Sequence, residues 1–253
     1  MTFQKSLSIP LVLFFILILL GIEPREMKAE LISPSLEGHH IKNEPQIEIE
    51  TPKKFCKLDR GLEKTEGYRT GYEPGLKSGT SLVALFVPCH SLDAAEKRRI
   101  EWLPEWVAYE KNTVTFPSDN ASTLGTRGAV KQLCKDARLA KYGHPTYENQ
   151  TLPDLVVEAH ERLTIENPVI FFGVIHEEES ICYLSSLRLL FSPSGRQQRF
   201  LLVTAFMQTG DRWIYQTLRR EVHAAPKGSA QAEAVSVLEE SKLIAQAFVK
   251  NNS

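Results

Sequence analysis

The chain has 253 residues, with 30 Lys and Arg against 31 Asp and Glu and a formal charge of −1. That balance supplies no broad basic excess to neutralise phosphates, which excludes a dedicated nucleic-acid binder. Composition is that of an ordinary folded domain without internal repeats, and the local basic runs "EKRRIE" (96–101) and "LRR" (218–220) are flanked by glutamates, as solvated faces are.

The first element is apolar. Residues Leu7 to Ile22 read "LSIPLVLFFILILLGI" after a short segment whose one charge is Lys5. A positive start, an apolar middle and a polar continuation form the layout of an export signal. As a helix the run spans roughly 24 Å at ~1.5 Å per residue, short of a ~30 Å bilayer core. Met27-Lys28-Ala29 has a small residue only at its end, so both a removed signal and a retained anchor stay open. A buried globular helix is the third reading. Lys5 upstream keeps the short N-terminus in the cytoplasm and places the rest outside. The expected organisation is residues 1–28 as signal peptide or transmembrane helix, 29–46 as a Pro- and Gly-containing linker, and 47–253 as a single α+β domain.

Within that domain "IEIE" (47–50) alternates apolar and charged, the pattern of a half-buried strand. The glycine-rich stretch between Gly61 and Thr80 reads as a long loop, and "SLVALFVPC" (81–89) as a strand covered on both faces. "SLDAAEKRRIEWL" opens a helix with Ser91 as N-cap and Pro104 as its stop. "EWVAYEKNTVTF" is a strand broken by Pro117 and "SDNAS". Two helices follow, one with Val130, Leu133, Cys134 and Ala137 on its apolar face, the other with Leu155, Val156, Ala159 and Leu163 behind Pro153. Residues 168–222 then read as three or four strands, with a Gly-Asp hairpin turn in "QTGDRW". The last helix carries a stripe of Ala234, Leu238, Ser241, Ala245 and Phe248, joined by Val235 and Ile244. Consecutive strands followed by a terminal helix imply α+β, an antiparallel sheet packed by helices.

Export changes the meaning of the four cysteines, at 56, 89, 134 and 182. In an oxidising compartment they persist as disulfides, and four cysteines allow three pairings. Cys56 with Cys89 is the preferred pair, since each sits where a predicted strand gives way to a loop; two buried free thiols are the alternative. The absence of C-x-x-C removes support for a thioredoxin-type site or a zinc ribbon.

"IEIETPKKFCKLD", "SLVALFVPCHSL" and "FLLVTAFMQTGDRWIYQTL" ahead of a helix closing in "NN" resemble a group of uncharacterised exported bacterial proteins. The order of elements over residues 47–252 is similar to the PsbP-like α/β/α sandwich. This resemblance implies a fold and a recurring cysteine pair, and carries over no catalytic residue and no photosynthetic role.

Chemistry-bearing motifs are sparse. "HERLT" (160–164) starts like a zinc-protease helix, but Thr164 stands where the second histidine belongs. "HEEES" (176–180) clusters His176 with glutamates whose side chains alternate across a strand, which suits a polar strand end better than a ligand group. His39 and His40 fall in the linker, and "SPSG" (192–195) reads as a turn. "GTRG" (125–128), placed before a helix, offers backbone N–H groups to an anion with Arg127. Tyr68, Tyr72, Trp102, Trp106 and Tyr109 either line a binding surface or serve structure, the tryptophans packing the core and the tyrosines capping the sheet. No catalytic residue, cofactor or metal is expected. The expected function is an envelope protein, periplasmic or anchored facing the periplasm, that binds an envelope partner and touches the membrane through its N-terminal helix. The alternative is an envelope hydrolase with a dispersed His/Glu site built on His176.

Overall fold

Seven strands form one fully antiparallel sheet, described here from a computed structural model. The described residues are 47–58, 80–96, 103–112, 118–139, 150–191, 194–210, 212–223 and 227–252; the apolar segment 7–22, the linker and the glycine-rich stretch lie outside them. The strands are β1 (Phe55–Lys57), β2 (Thr80–Pro88), β3 (Glu105–Asn112), β4 (Val169–Glu177), β5 (Cys182–Phe191), β6 (Gln197–Thr209) and β7 (Arg212–Glu221), in spatial order β1-β2-β3-β7-β6-β5-β4. The helices are α1 (Cys89–Glu96), α2 (Ser118–Leu139), α3 (Leu152–Arg162) and α4 (Lys227–Asn251). Among the described residues no helix is long and apolar enough to cross a membrane.

Local chemistry explains the meander β4–β7. Gly210, at φ +59°, supplies the left-handed residue of the two-residue turn between Thr209 and Arg212. The outermost strand β4 is bulged around Gly173 (φ +78°), with register shifts on either side. Such a bulge twists the exposed edge away from pairing with another chain.

Alternation then gives each strand two buried faces. The first face presents Phe86, Tyr109, Leu201, Val203, Met207, Ile214 and Leu218 to α3 and α4 in one large apolar cluster. Ala234, Ser241 and Ala245 are fully buried, and their small side chains let α4 lie close to the sheet. The second face carries two smaller clusters. One gathers Leu82, Leu85, Val87, Leu103 and Trp106 beside Leu92 of α1; the other sets Val130, Cys134 and Ala137 of α2 on Phe171, Leu184, Phe206 and Tyr215. Each small cluster is stapled. Cys56 is bonded to Cys89 (Cα–Cα 4.9 Å) and Cys134 to Cys182 (Cα–Cα 5.6 Å), and no cysteine is free.

Several expectations are corrected. Helix α1 begins at Cys89, so Ser91 is not its N-cap but a buried residue within it, its hydroxyl 3.3 Å from His90 Nε2. Helix α2 begins at Ser118: "SDNAS" starts the helix instead of breaking the chain, because Ser, Asp and Asn are favoured at helix N-termini. That places Gly125–Gly128 inside α2, where backbone N–H groups bond within the helix and cannot cradle an anion. Val235 is 48% exposed and off the α4 stripe. "IEIE" alternates as expected, with Ile47 and Ile49 half-buried and Glu48 and Glu50 exposed, yet it joins no sheet.

Candidate functional site: a groove beside the terminal helix

The extended segment 47–53 runs instead as a strap along α4. Asn252, just past the helix, clamps it: the Glu48 N–H donates to Asn252 Oδ1 (3.0 Å), and Asn252 Nδ2 donates to the carbonyls of Glu48 (2.8 Å) and Phe248 (2.9 Å). One side-chain amide thus satisfies strap and helix end together, the job of a C-cap. Ile47 and Ile49 pack into the first-face core below. At its other end the strap turns through Lys54, a non-glycine residue at φ 68°. The Phe55 N–H donates to Pro52 O (3.1 Å) and the Cys89 N–H to Lys54 O (3.0 Å), after which the Cys56–Cys89 bond locks the turn to α1. The strap is therefore fixed at both ends.

Between strap and helix lies a groove of about 370 Å³. Glu50, Thr51, Pro52 and Lys53 form one wall, and Glu240, Leu243, Ile244, Ala247 and Phe248 form the other. Tyr109 of β3 is the floor, packed edge-on to Phe86 (centroids 6.2 Å apart) and tilted against Phe248 (5.5 Å). Burial raises the Tyr109 pKa well above the usual phenol value, so the hydroxyl stays protonated and able to donate. It makes no hydrogen bond to a described residue.

The carboxylates around the groove are not equally available. The Arg220 guanidinium donates to both Glu105 and Glu240, with Arg220 Nε to Glu105 Oε1 at 2.7 Å and Nη1 to Ser236 Oγ at 3.1 Å. Burial by itself would lower the Arg220 pKa, but the bonds to the two carboxylates more than offset it and raise the value. Burial raises the Glu105 pKa, only partly opposed by Arg220. Glu240 is thus committed to Arg220. Glu50 accepts a long hydrogen bond from Asn251 Nδ2 (3.5 Å), whereas Lys53 is exposed and forms no ion pair among the described residues.

Two other polar clusters lie outside the groove. His176 Nε2 sits 3.5 Å from Glu178 Oε1, which also accepts from Gln246 Nε2 (3.0 Å) and Tyr183 Oη (3.4 Å). Glu177 points to the opposite face and pairs with Arg138 at 2.8 Å, so the strand alternation read from "HEEES" holds. Glu178 pins the β4–β5 turn to α4. Burial, and then the Glu178 charge, raise the Tyr183 pKa and keep it a neutral donor. The second cluster surrounds His160, buried on α3 with neither ring nitrogen partnered. Burial lowers its pKa; Arg199 and His223 lower it further, while Glu233 opposes them. Among the described residues no group of three or more His, Cys, Asp or Glu converges to hold a metal.

Of the aromatic residues singled out in the sequence, Tyr68, Tyr72 and Trp102 lie outside the described residues. Trp106 is buried in the second-face cluster with the Arg219 guanidinium 5.3 Å from its ring centroid, a packing position. Of that group the structure brings Tyr109 to the groove, along with Lys53 and the exposed Leu243, while Asn252 clamps the strap beside it. Local sequence could not reveal this, because strap, floor and helix come from three distant segments.

No family model and no curated protein matches the sequence. Among solved structures the chain is similar to a single-substitution mutant of Protein Mog1, at 10% identity and a TM-score of 0.31, over 75% of this chain and 84% of that one. A likeness that faint carries no argument about fold family or function.

Proposed function

We propose that the chain is an exported or membrane-anchored cell-envelope protein whose folded domain is a non-enzymatic binding or assembly module, with the segment before residue 29 setting its location. The groove carries this reading: a preformed concavity with one apolar wall, whose other wall is fixed by a side-chain clamp and a disulfide. Preformed, mostly apolar concavities with a few placed polar groups are the usual form of ligand sites. Two closed disulfides support an oxidising, periplasm-like compartment. Deleting residues 1–28 from the full chain tests the location. The truncated protein should accumulate in the cytosol with alkylatable thiols, and recovery of the truncated form outside the cytosol would count against the reading.

The hydrolase alternative rests on one observation, the contact between His176 and Glu178. Glu178 already accepts from Gln246 and Tyr183, which makes it a fastening group. A double variant, His176→Ala with Glu178→Gln, separates the two: an unchanged phenotype speaks against the hydrolase, and an abolished phenotype in a folded variant speaks for it.

A further inference from the structure

We propose that Cys56–Cys89 is a reducible latch on the groove, opened by a dithiol that attacks Cys56 Sγ and expels Cys89 as the thiolate. The consequence for the groove rests on the binding-module reading; the thiol chemistry does not. Cys134 and Cys182 are fully buried between α2 and β5, whereas Cys56 and Cys89 are both half-buried, one on the outermost strand and one at a helix start. Exchange requires the attacking sulfur to reach the bond, so a reductant meets Cys56–Cys89 first. Lys54 and Lys57, both exposed, flank Cys56 in the chain and favour the approach of a thiolate. Cys89 is the first residue of α1, where the helix dipole stabilises a thiolate and makes it the better leaving group.

The electrons balance as follows. One thiolate of the dithiol bonds to Cys56 Sγ, the Cys56–Cys89 bond breaks, and Cys89 leaves with the electron pair. The second thiolate attacks the dithiol's own sulfur in that mixed disulfide and releases Cys56. The dithiol ends oxidised, the latch ends as two thiols, and the protons lost by one are taken up by the other. The reverse exchange with an oxidised dithiol closes the latch, which is its resting state in an oxidising compartment. Residues 50–53 form a wall of the groove, and the bond fixes their end of the strap. Without it that end keeps the Cys89 N–H bond to Lys54 O (3.0 Å) and three residue pairs between β1 and β2. A three-residue edge strand and the left-handed backbone of Lys54 (φ 68°) make the turn marginal on those alone. Phe55 and Leu58 stay buried and Asn252 still holds the far end, so the wall loosens while the domain stays folded.

Full-length protein in lipid nanodiscs, treated with dithiothreitol, alkylated at intervals and mapped by mass spectrometry, tests the proposal. Cys56 and Cys89 should be alkylated at least about a hundredfold faster than Cys134 and Cys182, because a buried bond reacts only through opening. With the latch alone reduced, amide exchange across 50–57 should rise about tenfold or more while α2 and α4 keep their protection. Cys56→Ser with Cys89→Ser should show that raised exchange without reductant and no further change on adding it. Glutathione, a monothiol, should be trapped on Cys56 with Cys89 alkylated. Equal reduction of the two bonds would overturn the assignment of the reducible one, and glutathione trapped on Cys89 would overturn the direction of attack. Unchanged exchange across 50–57 in both the reduced protein and the double variant would overturn the latch. Each of these failures leaves the binding-module reading standing, since no ligand enters the experiment.

Discussion

The two faces of the sheet are held by different means. The first face has a single large apolar cluster beneath two helices and contains no disulfide; the second has two small clusters, each carrying one. The division follows from energetics. Apolar burial stabilises in proportion to area, so a broad cluster holds its helices unaided, while a short helix such as α1 buries too little to do so. Cross-links stabilise by restricting the unfolded chain instead, which needs no extra core. On the chain-entropy model, sequence separations of 33 and 48 residues correspond to about 4 kcal/mol each. The cysteines sit with the two smaller clusters, Cys134 and Cys182 fully buried in theirs, and the Cys56–Cys89 bond also fixes one end of the groove's strap.

This contrast can be broken in order of effect. Cys134→Ala with Cys182→Ala should cost about 4 kcal/mol in denaturant unfolding and raise amide exchange in α2 well above that in α4; equal loss of protection on both faces would contradict the division. Arg220→Met attacks the first face at its sealed polar end and leaves Glu105 and Glu240 facing each other without a cation. A loss of about 3 kcal/mol is expected, and a neutral result would show that the network contributes little. A smaller effect depends on pH. The folded-state pKa of His160 is lowered, so the unfolded chain binds the proton more readily and stability falls as pH drops below about 6.5. The groups facing it are Arg199 on β6, His223 before α4 and Glu233 on α4. His160→Leu should flatten the melting temperature between about pH 7 and 5, and an unaltered slope would remove His160 from the account. Smallest of all, Lys54→Gly should gain about 0.5 kcal/mol: the left-handed backbone costs Lys about 1 kcal/mol, less the added unfolded-state entropy of glycine.

How much of this could be read in the sequence depended on the range of the contacts. The hairpin in "QTGDRW" was legible because period-two alternation and a Gly-Asp turn are local signals. The apolar faces of α2, α3 and α4 were legible for the same reason, with only Val235 misplaced. Range defeated the rest. "IEIE" alternates because it half-buries Ile47 and Ile49, but what it lies against is a helix end clamped by Asn252, some 204 residues away, instead of a strand. Once Cys56 is paired with Cys89, Cys134 and Cys182 are either bonded or two free thiols, and the docking of α2 on β5 brings them together. "SDNAS" misled because Ser, Asp and Asn serve loops and helix starts alike. Tyr109 stands in the sequence among five aromatics with nothing local to single it out, and only the contact with Phe248 of the distant terminal helix does so.

The most direct test of the central claim is peptide mapping, without reduction, of protein recovered from its native envelope after alkylation in intact cells. Cross-linked peptides joining Cys56 to Cys89 and Cys134 to Cys182, with no alkylated cysteine, are the predicted result. Four alkylated thiols in a cytosolic fraction, or peptides joining the cysteines in another pairing, would contradict it.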